Sequence, residues 1–406
     1  MMRLYDAERD GDGCFRIFRE VGWAEPDSRE AFDMVLGASR VLVEDVNGAA
    51  ECMVLSVPGL IDYLGQRLPF WGINGVTTSR VARKLGLAQQ LTAETVARAA
   101  EDGAAVVGLG MFEQGFYNQL GFGVGSYHHQ VACDPAELVV ARRFAAPVRL
   151  DHSSAHEMHQ ARLKRMHWHG MVDILPEGVT EADTRFAKNA FGLGYRDATG
   201  ELTHYVWCNA NGEHGPYDVW WMVYRDWDQF MELLALLKAL GDQVHTIRIG
   251  EPPMLQLQDL LRKPFKTERT RRRSEHEAGI DAAAWWQIRI CDLHACIEAV
   301  HLRGTTLRFV LELEDPIESK LGDRAGWRGL GGVYTVTLGA ESGVEAGGAA
   351  GLPAMRATVN AFSRLWLGVR PATGLAVTDD LDASPELLVK LDDALRLPMP
   401  QIDWNF

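Results

Sequence analysis

A basic, glycine-bearing turn lies between two apolar segments: Arg80-Val81-Ala82-Arg83-Lys84-Leu85-Gly86-Leu87-Ala88. It follows Val76-Thr77-Thr78 and precedes a helix-patterned stretch from Ala88 to about Glu101. Such a turn has the means to hold a pyrophosphate. The first turn of a helix leaves backbone N–H donors unpaired and pointing to one place. Gly86 has no Cβ, which lets backbone and phosphate approach closely. Arg80, Arg83 and Lys84 add charge-assisted donors. The plainer alternative is an ordinary strand-to-helix loop with solvated basic residues, and a turn of this kind carries chemistry only in context. The context is a second apolar run, Ala104 to Met111, and then Phe116-Tyr117-Asn118-Gln119-Leu120-Gly121-Phe122-Gly123.

Elements upstream must deliver this turn to its place. Gly11 to Glu20 and Ser28 to Leu36 carry helical patterns. Arg40 to Asp45 and Ala49 to Pro58 read as strands around Asn47-Gly48, a type I′ hairpin signal. Downstream, Tyr127 to Cys133 reads as a last strand, ended by Asp134-Pro135.

At 406 residues the chain exceeds one ordinary core and implies two or three domains. Its 47% apolar and 24% charged content are those of a soluble globular protein. No apolar run has the length of a membrane helix, and the polar, acidic Met1 to Asp10 does not read as a signal peptide. Six scattered cysteines without C-x-x-C spacing read as buried free thiols in a reducing cytoplasm. The net charge of −14 argues against a nucleic-acid partner and for steering of a cationic substrate.

From about Val148 to Asp281 the order of elements partly repeats. Strands at Glu201 to Cys208, Asp218 to Arg225 and Val244 to Gly250 surround an amphipathic helix, Asp226 to Leu240. Where a phosphate turn would stand, Tyr224-Arg225-Asp226-Trp227-Asp228 brings two acids and no glycine. Two carboxylates there suit the helix dipole and repel pyrophosphate. His152, His156, His159, His167 and His169 cluster in sequence but lack the Cys or acid spacing of a zinc site, so no metal is expected. The basic run from Arg262 to Arg273 reads as a solvated connecting loop. Beyond Ala284, strands are expected at Trp285 to Ile290, Thr306 to Leu313 and Gly331 to Leu338. Gly339 to Gly351 reads as a small-residue loop, and helices as Val359 to Leu365 and Leu387 to Leu395.

Strand, basic glycine turn, helix, strand and aromatic-glycine helix end is the order found in GNAT acetyltransferases. Their Arg/Gln-x-x-Gly-x-Gly/Ala turn is matched by Arg83-x-x-Gly86-x-Ala88. The whole chain resembles one family, the enhanced intracellular survival (Eis) acetyltransferases. The resemblance rests on Phe116 to Gly123, on Arg142-Arg143-Phe144, on Trp286 to Asp292, on Leu365-Trp366-Leu367-Gly368 and on a terminal aromatic residue. It implies an α+β fold with two tandem GNAT-like mixed-sheet domains and a sterol-carrier-protein-2-like α/β domain. The expected spans are a catalytic domain at 1–147, a second GNAT-like domain without the coenzyme site at 148–283, and the carrier-like domain at 284–406.

The resemblance also implies roles. Tyr117 matches a general acid, and Phe406 matches a terminal phenylalanine whose α-carboxylate is the general base. Val76, Thr77 and Thr78 match the strand end that pairs with the pantetheine arm. Lys84, Leu85, Gly86, Leu87, Ala88 and Gln89, with Arg83 before them, match the phosphate turn, and Phe112 and Glu113 a further coenzyme contact. Ser79-Arg80-Val81-Ala82 departs from the family's more arginine-rich turn, which often has a proline after the strand.

The implied activity is transfer from acetyl-coenzyme A, as co-substrate, to a primary amine of a cationic, aminoglycoside-like small molecule. Metal, nucleic acid and membrane have no part in it, and a cytoplasmic homo-oligomer, hexameric by family analogy, is implied. The rivals are acetylation of protein lysines and a lipid or hydrophobic-ligand carrier with a vestigial acetyltransferase domain. A tyrosine at its ordinary pKa of about 10 stays protonated at neutral pH and can donate to a thiolate whose conjugate acid lies near 8.5. A terminal carboxylate near 3.5 needs burial or a water relay to act as base. Ile402, Trp404 and Phe406 alternate as apolar anchors, the pattern of a docked tail.

Overall fold

A computed structural model describes residues 2–111, 113–264, 275–304, 306–323 and 325–404. The chain divides into two compact units. One is drawn from Met1–Ser126, Trp168–Pro176 and Ala284–Phe406, the other from Tyr127–His167 and Glu177–Ala283.

The first unit opens with β1 (Met2–Leu4), α1 (Ala7–Glu20), α2 (Arg29–Ala38) and β2 (Arg40–Val46). Then come β3 (Ala49–Tyr63), β4 (Gln66–Thr78), α3 (Leu87–Glu101), β5 (Val106–Gly110), α4 (Gln114–Asn118) and β6 (Gly123–Val124). Asp6 caps α1 by accepting from the N–H groups of Glu8 and Arg9. The β2–β3 hairpin turns on Asn47 and Gly48, both left-handed at φ 53° and 87°, as the type I′ signal predicts. Leu64 and Gly65 make a second left-handed two-residue turn into β4.

The sheet runs β1-β2-β3-β4-β5, then Trp286–Ile290, then β6, with Val172–Ile174 pairing to β3. Only the β4–β5 pair is parallel, because α3 returns the chain between them. Leu91, Ala93, Val96 and Ala99 of α3 pack on Leu42, Cys52, Val54, Ile73, Val107 and Leu109 to form the core beneath the turn.

Residues 284–404 of this unit add a five-stranded sheet in the order Gly343–Ala346, Gly332–Leu338, Leu307–Glu314, Ala354–Thr358, Leu381–Ala383. The stretch expected as a small-residue loop thus contains a strand, Gly343–Ala346, that pairs with Gly332–Leu338. Tyr63 stacks on Trp366 at 4.5 Å and donates to its carbonyl oxygen. The tail follows: Gln401 donates its N–H to the His169 carbonyl, and Ile402 and Trp404 are fully buried.

The second unit has a seven-stranded sheet that includes His128–Cys133 and Gly279–Ala283. Tyr127 to Cys133, read as the last strand of the first sheet, therefore belongs to the second. Its helix Trp227–Ala239 has Asp226 as N-cap, whose carboxylate accepts from the Gln229 N–H. Residues 265–274, which hold most of the basic run, lie outside the described residues. Among the described residues no group of three His, Cys, Asp or Glu is arranged to hold a metal ion. No helix among them is long and apolar enough to cross a membrane.

Candidate active site

β4 and β5 pair from Phe70–Val106 to Ile73–Leu109 and then part. On its other side β4 stays paired with β3, through a bulge. Met53 faces Thr77 and Leu55 faces Asn74, so Gly75 and Val76 together oppose Val54. Gly75 is left-handed at φ 77°, the backbone such a bulge requires. A side chain there would also press on Leu55 and Phe18, at 3.2 and 3.3 Å. The bulge bends β4 away from β5. From Asn74 to Thr78 the edge of β4 that faced β5 has no strand partner among the described residues. An open strand edge of this kind accepts an amide-bearing ligand as an added strand.

Where the strands part there is a cavity of about 380 Å³, lined by Trp23, Ile73, Asn74, Gly75, Val76, Leu109, Gly110, Met111, Tyr117 and Trp285. It lies at the carboxyl ends of two parallel strands, the usual crevice for ligands in sheets of this type. Tyr117, on α4, forms part of its wall and is 3% exposed. Burial, reinforced by the charge of Glu113, pushes the Tyr117 phenol up to about 12. Glu113 is the N-cap of α4, with its carboxylate oxygens accepting from the N–H groups of Gly115 and Phe116 at 2.9 and 2.7 Å.

The basic turn begins with a short 3-10 segment, Arg80–Ala82. The Arg80 backbone N–H donates to a Glu20 carboxylate oxygen, and one nitrogen of its exposed guanidinium to the Glu20 carbonyl at 3.3 Å. Arg83, Lys84 and Leu85 are exposed. Lys84 and Gly86 both have left-handed backbone, at φ 65° and 78°. For lysine that conformation costs about 1–2 kcal/mol. Gly86 is the N-cap of α3 and supplies no side chain to it. The first-turn amides of Leu87, Ala88 and Gln89 therefore keep donors that no capping side chain takes. The side chains of Leu87 and Ala88 pack on the core, and Gln89 donates to Gln119 at 2.9 Å.

Of the other expected residues, Val76 lines the cavity. Thr77 is buried, and its hydroxyl has no hydrogen-bond partner among the described residues. The Thr78 hydroxyl meets the Cys52 thiol at 3.2 Å. Phe112 and Phe406 lie outside the described residues.

Sequence reasoning missed Trp23, Asn74 and Trp285 in the lining, and a set of side chains that hold α4. Gln287 donates to the Asn118 side chain at 2.6 Å. Asn360 donates to the carbonyls of Asn118 and Phe122 at 2.7 and 2.9 Å. Arg289, fully buried, donates to the Leu120 carbonyl and pairs with Asp315 at 2.8 Å. The Trp286 to Asp292 motif marked the strand that bears two of these residues; nothing in the pattern marked their targets.

Residues 6–125 match the family described as Acetyltransferase (GNAT) domain. No curated protein matches the sequence. A probable N-acyltransferase from Enterococcus faecalis V583, a conserved protein of unknown function, shares the fold at TM-score 0.79 and 18% identity, covering 100% of this chain and 99% of its own. A GCN5-related N-acetyltransferase from Anabaena variabilis does so at 0.75 and 14%, and Eis1 from Mycobacterium abscessus at 0.76 and 18%, each covering 100% of both chains. At these identities the likeness is one of fold. Residues 6–125 thus carry a GNAT acetyltransferase domain.

Proposed function

We propose that this chain transfers an acetyl group from acetyl-coenzyme A to the primary amine of a cationic small molecule. Tyr117 would serve as proton donor, and the α-carboxylate of Phe406 as proton acceptor. The observation that carries the reading is Tyr117 in the wall of a cavity opened where β4 and β5 part. The free edge of Asn74–Thr78 suits the amides of a pantetheine arm. The first-turn amides of α3, with Arg83 and Lys84, suit the pyrophosphate. Bound there, the coenzyme supplies a thioester open to direct attack by the amine. No cysteine is among the lining residues, in keeping with a route that has no acyl-enzyme.

The raised pKa of Tyr117 defines its part. At about 12, the phenol stays protonated throughout the working pH range. Complete transfer of its proton to a thiolate near 8.5 is uphill by roughly 5 kcal/mol. Its larger contribution is therefore a hydrogen bond that strengthens as charge gathers on the departing sulfur. Among the described residues of 284–404, one apolar cavity among Ile297, Phe309, Leu338, Phe362 and Leu391 measures about 10 Å³, roughly the room of one water.

Steady-state acetyl transfer tests the reading. Tyr117→Phe is expected to lower kcat about 100-fold while acetyl-coenzyme A still binds. Extension of the chain past Phe406 should lower kcat as well, and undiminished turnover in that protein would remove the carboxylate from the mechanism.

A further inference from the structure

Arg289, on the strand Trp286–Ile290, and Asp315 form an ion pair at 2.8 Å with neither side chain exposed. A pair so placed is a poor source of stability. Desolvating two charges takes back most of what their attraction gives, and apolar residues of similar volume often do as well or better. Its other partners show what the pair does instead. The Arg289 guanidinium also donates to the Leu120 carbonyl. The N–H groups of Leu120 and Phe122 in turn donate to the Tyr117 carbonyl, at 2.9 and 3.3 Å. Arg289 therefore grips the turn that fixes the main chain of Tyr117. Gly121, between those two donors, is left-handed at φ 80°. A Cβ there would lie 2.6 Å from the guanidinium and 3.1 Å from an Asp315 oxygen, so turn and ion pair are packed without room for a side chain.

Asp315 is held as firmly as the arginine it faces. Its carboxylate oxygens accept from the N–H groups of Ile317 at 3.3 Å and Leu330 at 2.9 Å. The Trp327 ring lies 5.1 Å from the guanidinium carbon, a cation–π contact on the same group. Ile317 is fully buried in one core with Tyr117 and Leu120. The N–H groups of Gly326 and Trp327 donate to Glu101, the last residue of α3. The segment that carries Asp315 thus meets both the turn after Tyr117 and the far end of the helix that follows the basic turn.

On the acetyltransferase reading above, we infer that Arg289 and Asp315 are positioning residues for Tyr117, and that the pair sets the place of the phenol rather than the stability of the fold. The planar fork of an arginine lets one side chain hold Asp315 and the Leu120 carbonyl together, which an apolar residue cannot do. Displacing a proton donor by about 1 Å costs on the order of 100-fold in rate, so a small drift of this turn is enough to matter.

The experiment removes both charges at once in the full chain, since one charge left alone in the core is strongly destabilising. Turnover is measured with the fastest acceptor among kanamycin, spermidine and tyramine. Arg289→Met with Asp315→Leu is expected to keep or raise the urea midpoint. Its kcat should fall at least about tenfold, with KM for acetyl-coenzyme A within about twofold of the parent. Made in Tyr117→Phe, the same two changes should lower kcat no further, because residues that act as a unit are not additive. Arg289→Lys keeps a charge for Asp315 but lacks the fork, and should lose about three- to tenfold in kcat while folding as the parent does. Full kcat in the double variant and in Arg289→Lys overturns the inference, and so does an equally large loss in Tyr117→Phe. A collapsed urea midpoint in the double variant, with full kcat in Arg289→Lys, makes the pair a structural brace and overturns it too. Undiminished kcat in Tyr117→Phe alone overturns instead the reading of Tyr117 as proton donor, and absence of acetyl-coenzyme A binding in calorimetry overturns acetyl transfer itself.

Discussion

Gly86 shows how a residue serves a site without touching the reacting atoms. An added Cβ would meet nothing within 4 Å, so space is not what the position demands. Its φ of 78° is. Gly86→Ala is expected to destabilise the protein by about 1 kcal/mol and to weaken acetyl-coenzyme A binding, as the turn relaxes and the amides of α3 swing away. Asn tolerates the left-handed region better, so Gly86→Asn should fall between the two in calorimetry. The sequence made this glycine conspicuous through its basic neighbours, but for a different physical reason, close approach of a phosphate. Arg80 was legible as a cation, but a motif does not show that its backbone N–H meets the Glu20 carboxylate and one guanidinium nitrogen the Glu20 carbonyl. Tyr117 was legible from its local setting, between a helix start and Leu120-Gly121-Phe122. Its shifted acidity was not, since burial depends on the whole core.

At the scale of elements, α4 is only five residues long and cannot hold its own shape. Its geometry is imposed by Glu113 at one end and by Gln287, Arg289 and Asn360 at the other. Asn360→Ala removes the side-chain amide that bridges the carbonyls of Asn118 and Phe122. The expected outcome is a kcat about tenfold lower, from a misplaced phenol, with KM for acetyl-coenzyme A nearly unchanged because the phosphate turn is elsewhere. An unchanged kcat per folded molecule, with a lowered urea midpoint, would mean that the amide only stabilises the fold. These clamps join residues 169 to 242 positions apart, which is why pattern reading could not find them. Periodicity identified Trp285 to Ile290 and Tyr127 to Cys133 as strands. It does not encode which sheet a strand enters, and both were consequently open to misplacement.

For the molecule as a whole, the six cysteines are the simplest global probe. All are free and buried. Burial pushes Cys52 and Cys291 up to about 11 and Cys14, Cys133 and Cys208 up to about 12. Tyr117 and Tyr195 rise likewise to about 12. The unfolded chain releases these protons near the ordinary values of 9.0 and 10.0, while the folded chain retains them. Above pH 9 the unfolded state thus binds fewer protons, and stability falls as pH rises toward 12. The urea midpoint is expected to hold steady up to about pH 8.5 and then decline, and a thiol reagent should label no cysteine before unfolding and all six after it. One further consequence lies in the strand Trp286–Ile290, which sits between β5 and β6 and is made long after both. A ribosome must deliver some 290 residues before the acetyltransferase sheet can close. Until then the nascent chain exposes the raw flank of β5, and any recombinant fragment cut between the two leaves that flank exposed for good, as a template for aggregation.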